Sequence, residues 1–273
     1  LHGWMDVSAS FQFLVDELQK DWQLIAPDLR GYGASSKPPS DPTHLPYSKR
    51  ASAQDLVEVM AELHTSPVDR IAVPGLADPR GVGIDASSWD AYMDECIGRW
   101  RVVETEHCER EPFVRVAAAW LDANRPAPAP LGLVHGDFQG TNILIEKGTG
   151  LFHMIDWELG HIGDPREDLG WWALAHLSQP PDIIAENMDS FLAAYRAATG
   201  FTEEMVNPAT VAYFTVLASA GVFFNLMKMT SRIAAGEKAG SSAAYMTNAM
   251  PFIHNTWISS MRAAGAWTKE NAA

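Results

Sequence analysis

The stretch from His135 to Asn142 constrains this chain more than any other part of the sequence. It reads His-Gly-Asp-Phe-Gln-Gly-Thr-Asn, and a second carboxylate follows at Asp156 within Met-Ile-Asp-Trp-Glu. Between these two points lie an apolar run at residues 143–145, a Gly-Thr-Gly turn and a second run at residues 151–155. Two short apolar runs around a glycine turn are typical of a β-hairpin. The pattern therefore predicts a hairpin that brings Asp156 back beside Asn142.

Two carboxylates and one carboxamide around such a hairpin are the groups that phosphoryl transfer needs. One Asp can orient the attacking hydroxyl and accept its proton, while an Asn and a second Asp can hold Mg²⁺ against nucleotide phosphates. An ordinary hairpin with polar flanks would explain each residue taken alone. The complete set is far more specific than its parts, because all the groups occur together in the right order.

The order His-x-Asp-x-x-x-x-Asn, followed by Asp, is that of the kinase catalytic loop and metal-binding Asp. The variant here, with His-Gly-Asp and Ile-Asp-Trp-Glu, resembles the aminoglycoside phosphotransferase family rather than protein kinases. The resemblance implies that Asp137 is the catalytic base and that Asn142 and Asp156 bind Mg²⁺ and, through it, ATP. It also implies that His135 shapes the loop. A buried histidine bonded to the backbone is the plainer interpretation, and it is compatible with that role.

A second segment of this family, Gly-Asp-Pro-x-x-Asp-Leu, lies at residues 163–169. Asp168 matches its second Asp, which braces the catalytic loop in the family, so the resemblance implies a supporting role for Asp168. Asp164 precedes Pro165, as is typical of a helix N-cap, and we interpret it as a plain cap. Glu158 either supports the metal ligands or is a solvated carboxylate, and the sequence leaves both open.

The first fifty residues have a different character. Residues 27–36 resemble the Asp-x-Arg-Gly-x-Gly-x-Ser loop of the α/β-hydrolase family, and residues 1–4 resemble its oxyanion loop. The sequence contains no Gly-x-Ser-x-Gly or Gly-x-Asp-x-Gly nucleophile elbow, so the hydrolase triad cannot be placed on any residue. We therefore predict a strand-helix-strand fragment at residues 1–54 that cannot form a hydrolase site.

The phosphotransferase resemblance begins at residues 61–64, Ala-Glu-Leu-His, which are similar to the Ala-x-Leu-His segment that starts the family's C-terminal lobe. This resemblance places a kinase-like C-terminal lobe at residues 55–273. The predicted fold is α+β and mostly helical, with the short hydrolase-like fragment in front. The family's N-terminal lobe carries a strand Lys that contacts the nucleotide phosphates. None of the lysines that precede the catalytic motif lies in such a strand: Lys20, Lys37 and Lys49.

Composition narrows the choice of partner and compartment. The chain is 47% hydrophobic and 20% charged, which is typical of a globular protein. Its net charge of −14 argues against nucleic acid or anionic membranes as partners.

The uncharged segment Thr210–Met227 contains several polar residues and follows the helix-start signal Asn207-Pro208, so we predict a buried core helix. Two cysteines without metal-ligand spacing and no visible secretory signal favour a cytoplasmic protein. We expect the tail from Trp267 to be frayed.

Three hypotheses of function follow. The first is an ATP- and Mg²⁺-dependent phosphotransferase acting on a small hydroxylated molecule. The Ile-Asp-Trp-Glu and Gly-Asp-Pro pattern is also similar to phosphotransferase-like domains attached to acyl-CoA dehydrogenases, so a hydroxyacyl compound is as plausible a substrate as an aminoglycoside. The second is an α/β-hydrolase acting on an ester, epoxide or haloacid. The third is a non-catalytic fusion remnant that folds but cannot hold ATP.

Overall fold

The computed structural model describes residues 49–67, 85–109, 111–139, 142–145, 152–176, 187–236 and 240–271. The predicted hydrolase-like fragment lies outside the described residues except for the first turns of one helix. Its boundary at residue 55 stays a prediction.

Helices dominate the described part of the chain, with two small antiparallel sheets at its centre. In chain order the elements are α1 Lys49–His64, α2 Trp89–His107, α3 Phe113–Ala123, β1 Gly132–Val134, β2 Ile143–Ile145, β3 Phe152–Met154, β4 His161–Gly163, α4 Arg166–His176, α5 Met188–Thr199, α6 Pro208–Ala234 and α7 Gly240–Asn271. A short 3₁₀ helix, Trp157–Leu159, precedes β4. The mostly helical α+β class predicted from the sequence is confirmed.

The predicted hairpin is present. Strands β2 and β3 pair antiparallel with Ile143 opposite Met154, and just beyond them the Ile155 N–H donates to the Asn142 carbonyl at 3.0 Å. The other sheet pairs β1 with β4, placing Leu133 opposite Ile162. The two sheets therefore bring the ends of the predicted motif segments together.

One large hydrophobic cluster lies among helices α2, α3, α6 and α7. Helix α3 contributes an apolar stripe with helical spacing: Val114, Ala117, Ala118 and Leu121. Aromatic rings fill the centre of this cluster, where the Trp257 ring lies 5.4 Å from that of Trp100 and 5.5 Å from that of Phe223.

Helix α6 is the long apolar helix expected from the sequence. Its Asn207 cap accepts a hydrogen bond from the Thr210 N–H, and the Thr210 hydroxyl accepts one from the Asn207 N–H, as the Asn-Pro signal predicts for a helix start. Among the described residues, Pro208–Ile233 is long and apolar enough to cross a bilayer, but 67% of its most apolar window is buried in the protein. It is a core helix, as predicted.

The C-terminal helix corrects one expectation. We predicted a frayed tail from Trp267, yet α7 continues to Asn271. Trp267 is half-buried and lines a cavity together with Thr210 and Tyr213 of α6, so the last turns of α7 lie beside another helix. The prediction was wrong because it considered local polarity without this packing.

A second cluster surrounds the predicted motifs and combines α1, β1, α4 and α5. Helix α4 connects it to the large cluster, because Gly170 packs directly on the backbone of α6. A Cβ atom built at Gly170 would lie 2.3 Å from the carbonyl carbon of Phe214. The position of α4, which begins beside Asp164 and carries Asp168, is therefore set from both sides.

Candidate active site

The chain turns sharply where β1 ends and the predicted catalytic loop begins. Gly136 has a positive φ of 78°, and a Cβ atom there would lie 2.4 Å from the carbonyl oxygen of Leu159. Both the backbone conformation and the lack of space require glycine at this position. The loop is thus pressed against the segment that follows Asp156.

His135 connects the loop to the hairpin. Its ring is buried, its Nε2 lies 2.8 Å from the Ile155 carbonyl oxygen, and its Nδ1 accepts from the Asp137 N–H at 3.3 Å. A carbonyl only accepts, so the tautomer that satisfies both bonds carries its proton on Nε2. The ring also packs on Trp157, with centroids 4.8 Å apart. This position suits the loop-shaping role that the resemblance implied.

Asp137 is half-buried and held by two amide side chains. Gln139 Nε2 donates to both of its carboxylate oxygens, at 2.9 and 3.0 Å. Asn142 Nδ2 donates to Asp137 Oδ2 at 3.1 Å and to the Asp137 carbonyl at 2.9 Å. The Asn142 side-chain oxygen receives no hydrogen bond from a described residue. The role of Gln139 was not predicted, although the residue lies within the motif.

Asp156 stands apart from this hydrogen-bonded group. It is exposed, and its carboxylate makes no hydrogen bond or ion pair with the described part of the chain. Among the described residues, Asp156 is the one non-glycine residue with a positive φ, at 66°. Such a conformation costs about 1–2 kcal/mol and is found preferentially at functional sites.

The donor set available to a metal is therefore one carboxylate and one amide oxygen. Both are hard ligands of the kind that Mg²⁺ prefers, and neither is occupied by a donor of the described protein. Within the described ranges, no group of three or more His, Cys, Asp and Glu side chains could hold a metal. Convergence of the Asn142 and Asp156 oxygens on one ion remains a prediction.

Asp168 binds the backbone of the predicted catalytic loop at its first two residues. It is fully buried, and Oδ2 accepts from the His135 N–H at 2.8 Å while Oδ1 accepts from the Gly136 N–H at 3.0 Å. A third partner, His64 Nε2, lies 3.1 Å from Oδ2. A single carboxylate on α4 thus fixes two consecutive backbone amides of the loop.

The partners of Asp168 were missed by sequence reasoning. His64 Nδ1 lies 2.7 Å from the Tyr195 hydroxyl. Burial, reinforced by the charges of Asp164 and Asp168, raises the pKa of Tyr195 well above its usual range. The Asp168 carboxylate only accepts, and in the neutral imidazole that donates to it from Nε2, Nδ1 accepts from the Tyr195 hydroxyl. His64 had a signal in the Ala-x-Leu-His segment, whereas nothing in the sequence singled out Tyr195.

Asp164 is more than a helix cap. Its Oδ1 accepts from the Arg166 N–H at 3.0 Å, as a cap does, but both oxygens also bind the Arg166 guanidinium in a fully buried ion pair. Trp89 Nε1 donates to Asp164 Oδ2 at 2.7 Å. Glu158 is exposed and makes no bond to a described residue, which favours its interpretation as a solvated carboxylate.

Residues 33–210 match the family model described as the phosphotransferase enzyme family, and the chain belongs to that family. The fold agrees with this assignment. A Ralstonia eutropha JMP134 protein assigned as an aminoglycoside phosphotransferase superposes with a TM-score of 0.58 at 18% identity, covering 85% of this chain and 72% of its own. The described residues thus have a kinase-like fold.

Two matches in sequence have other names. Human acyl-CoA dehydrogenase family member 11 is 28% identical over 121 residues, which is 43% of this chain and only 14% of the relative's length. A fluoroacetate dehalogenase from Burkholderia sp. is 40% identical over 63 residues, covering 23% of this chain and 21% of the dehalogenase. The chain therefore spans only a small part of these relatives.

Proposed function

We propose that the chain is an ATP- and Mg²⁺-dependent phosphotransferase that acts on a hydroxyl group of a small molecule. The observation that carries the proposal is the hydrogen-bonded pair of Asp137 and Asn142, with the exposed, unpaired Asp156 next to Ile155, whose N–H donates to the Asn142 carbonyl. In the proposal, Asp137 orients the acceptor hydroxyl and takes its proton. Gln139 and Asn142 hold the carboxylate of Asp137 in place.

Asn142 and Asp156 would hold Mg²⁺ through their side-chain oxygens. The metal, when bound, would neutralise nucleotide phosphates. Asp168 and His135 keep the loop and the hairpin in register, so the base and the metal ligands stay at a constant spacing. The proposed acceptor is an aminoglycoside or a hydroxyacyl compound, the two substrates that the sequence motifs suggest. We further propose that the described residues belong to a C-terminal lobe at residues 55–273 of a cytoplasmic enzyme.

Calorimetric titration with ATP tests the nucleotide site. We expect weak binding that requires Mg²⁺, because no phosphate-contacting Lys was identified in the sequence. Asp156→Ala should abolish this binding, and Asp189→Ala, which removes an exposed carboxylate on α5, should not change it. If the intact wild-type chain binds no ATP at millimolar concentration, the hypothesis of a non-catalytic remnant replaces the proposal.

Turnover tests the base. ATP consumption is measured with an aminoglycoside and with a hydroxyacyl thioester as acceptors. Asp137→Ala should retain ATP binding but lose about 10²–10⁴-fold in rate, because general-base help is removed. An Asp137→Ala variant as active as the wild type would contradict the assigned role.

Hydrolysis of an ester, epoxide or haloacid is the second candidate, favoured by the match to fluoroacetate dehalogenase. Ester hydrolysis needs a positioned nucleophile and base, and the sequence offers no elbow for them. We expect no burst with an activated ester and no fluoride release from fluoroacetate. Either activity, abolished by substituting one Ser or Asp, would favour the hydrolase instead.

A further inference from the structure

A cavity of about 490 Å³ lies between helices α2, α4 and α6, open to solvent at one side. Its lining is mainly apolar and includes two tryptophans, Trp100 and Trp171, with Leu217 and Phe224. None of the lining residues belongs to the catalytic loop or to the hairpin. The cavity is therefore separate from the site around Asp137.

Large apolar side chains are exposed to solvent at the mouth of the cavity. The side chains of Val102 and Phe224, both part of the lining, are 56% and 41% exposed. Apolar surface left in contact with water on a concave wall is typical of ligand pockets. The volume also lies within the range of pockets that bind small molecules.

Three charged side chains line the cavity, and two of them have donors of their own. Glu95 Oε2 accepts from the Asp85 N–H at 2.9 Å, and Glu167 accepts from the Tyr92 hydroxyl. Arg99 differs, because its Nη2 atom is buried and makes no hydrogen bond with any described residue. Arg99 Nη2 forms an ion pair with Glu95 Oε1 one helical turn away, but the separation of 3.7 Å is too long for a hydrogen bond. The Arg99 side chain as a whole is 30% exposed.

We propose that this cavity binds a small amphipathic carboxylate. Its apolar part would lie against Val102, Trp171 and Phe224, and its carboxylate would accept from the partly exposed guanidinium of Arg99. A buried guanidinium N–H without an acceptor is unfavourable, and a carboxylate supplies the strongest common partner. A cationic ligand fits less well, because the two carboxylates of the lining are already engaged. This site goes beyond the proposed phosphotransferase function and does not depend on it.

Calorimetric titration with decanoate, without ATP or Mg²⁺, tests the proposal separately from phosphoryl transfer. Decanol and decylamine serve as comparison ligands of the same chain length. We expect saturable binding of decanoate, tighter than that of either comparison ligand. Arg99→Met should weaken decanoate binding about tenfold or more while leaving decanol binding unchanged, since only the charge-assisted hydrogen bond is lost.

Filling the cavity provides the second test. Gly221 lines it on α6, and a Cβ atom there meets nothing within 4 Å, so Gly221→Leu should occupy the space without a clash and abolish decanoate binding. Gly98→Leu is the matched control: a Cβ atom at Gly98 on α2 also meets nothing within 4 Å, but Gly98 does not line the cavity. Circular dichroism of both variants checks that they fold.

Several outcomes would overturn the proposal. These are no saturable binding of decanoate at millimolar concentration, decylamine binding as tightly as decanoate, or unchanged decanoate affinity in Arg99→Met. Equal loss of binding in Gly221→Leu and Gly98→Leu would also place the ligand elsewhere.

Discussion

The carboxylate of Asp168 shows how much of the candidate site depends on one side chain. It accepts hydrogen bonds from two loop amides and from His64, which is itself bonded to Tyr195. The Gly-Asp-Pro-x-x-Asp-Leu segment was enough to single out Asp168. Its partners were not predictable from the motif, because His64 and Tyr195 approach it only after α1 and α5 have packed together.

Replacing Asp168 by Asn should strongly destabilise the protein. Asp168 accepts three hydrogen bonds with two oxygens, whereas Asn has one accepting oxygen and one NH₂ group that only donates. At least one of the three buried N–H groups would therefore face the NH₂ group and lose its acceptor. We expect a loss of about 3 kcal/mol in the free energy of unfolding, measured by urea denaturation. Asp189→Asn on the exposed surface should change it by less than about 0.5 kcal/mol. Equal stability of the two variants would show that Asp168 does not hold the loop.

Gly136 and Gly200 provide a second comparison at the residue scale. Both have φ 78°, but a Cβ atom at Gly136 would clash with the Leu159 carbonyl, while one at Gly200 meets nothing within 4 Å. Gly200→Ala should cost about 1–2 kcal/mol for the left-handed conformation alone. Gly136→Ala should lower the free energy of unfolding by clearly more, because the backbone at Leu159 must also move to make room for the Cβ atom. Similar chemical denaturation curves for the two variants would contradict the close contact.

At the scale of elements, helix α4 is the part that places the site in the molecule. Its N-terminus is held by the buried pair of Asp164 and Arg166, and Arg166 also donates to the carbonyl oxygens of Ala127 and Met205. One turn later Asp168 binds the backbone of the predicted catalytic loop, and Gly170 packs on α6. The N-cap signal predicted where α4 begins, but only tertiary packing shows why an Arg and a Gly occupy these positions.

The crossing of α4 and α6 can be tested through Gly170. Gly170→Ala should be destabilising, because its Cβ atom would lie 2.3 Å from the Phe214 carbonyl carbon in the middle of α6. Gly98→Ala on α2, where the new Cβ atom has open space, should instead stabilise the protein by up to about 1 kcal/mol through helix propensity. Thermal denaturation should therefore shift in opposite directions, and a shift in the same direction would be evidence against the close crossing.

At the scale of the whole molecule, two buried tyrosines link stability to pH. Burial raises the pKa of Tyr195 and that of Tyr213, whose hydroxyl donates to the Leu121 carbonyl. They belong to the two different hydrophobic clusters. Folding therefore favours the protonated form of both side chains, and their contribution to stability is complete below the unfolded-state pKa near 10.

Raising the pH above about 10 should lower the free energy of unfolding. The unfolded chain then releases protons that the folded protein keeps, and each buried tyrosine contributes a slope of up to about 1.4 kcal/mol per pH unit. Tyr195→Phe and Tyr213→Phe should each make this decline shallower between pH 10 and 11 in urea denaturation. A slope identical to that of the wild type in both variants would show that neither hydroxyl is buried as described.

The elements that depend on local chemistry could be predicted from the sequence. The hairpin followed from glycines between apolar runs, the start of α6 from Asn207-Pro208, and the family from two short motifs. These features are set by residues close together in the chain, so their patterns are visible without a structure. The length of α7 was misjudged because Trp267 lies beside α6, and the local sequence does not show that neighbour.

The way in which the motifs meet depends on contacts between residues that are distant in the sequence. The His64 and Tyr195 support of Asp168, the buried pair of Asp164 and Arg166, and the cavity with Arg99 all join residues distant in sequence. Their partners are selected by burial, because a polar group removed from water must find a donor or acceptor among whatever the packing brings near. A sequence motif can therefore predict the residues of a site, whereas the packing of the helices determines which side chains form hydrogen bonds with them.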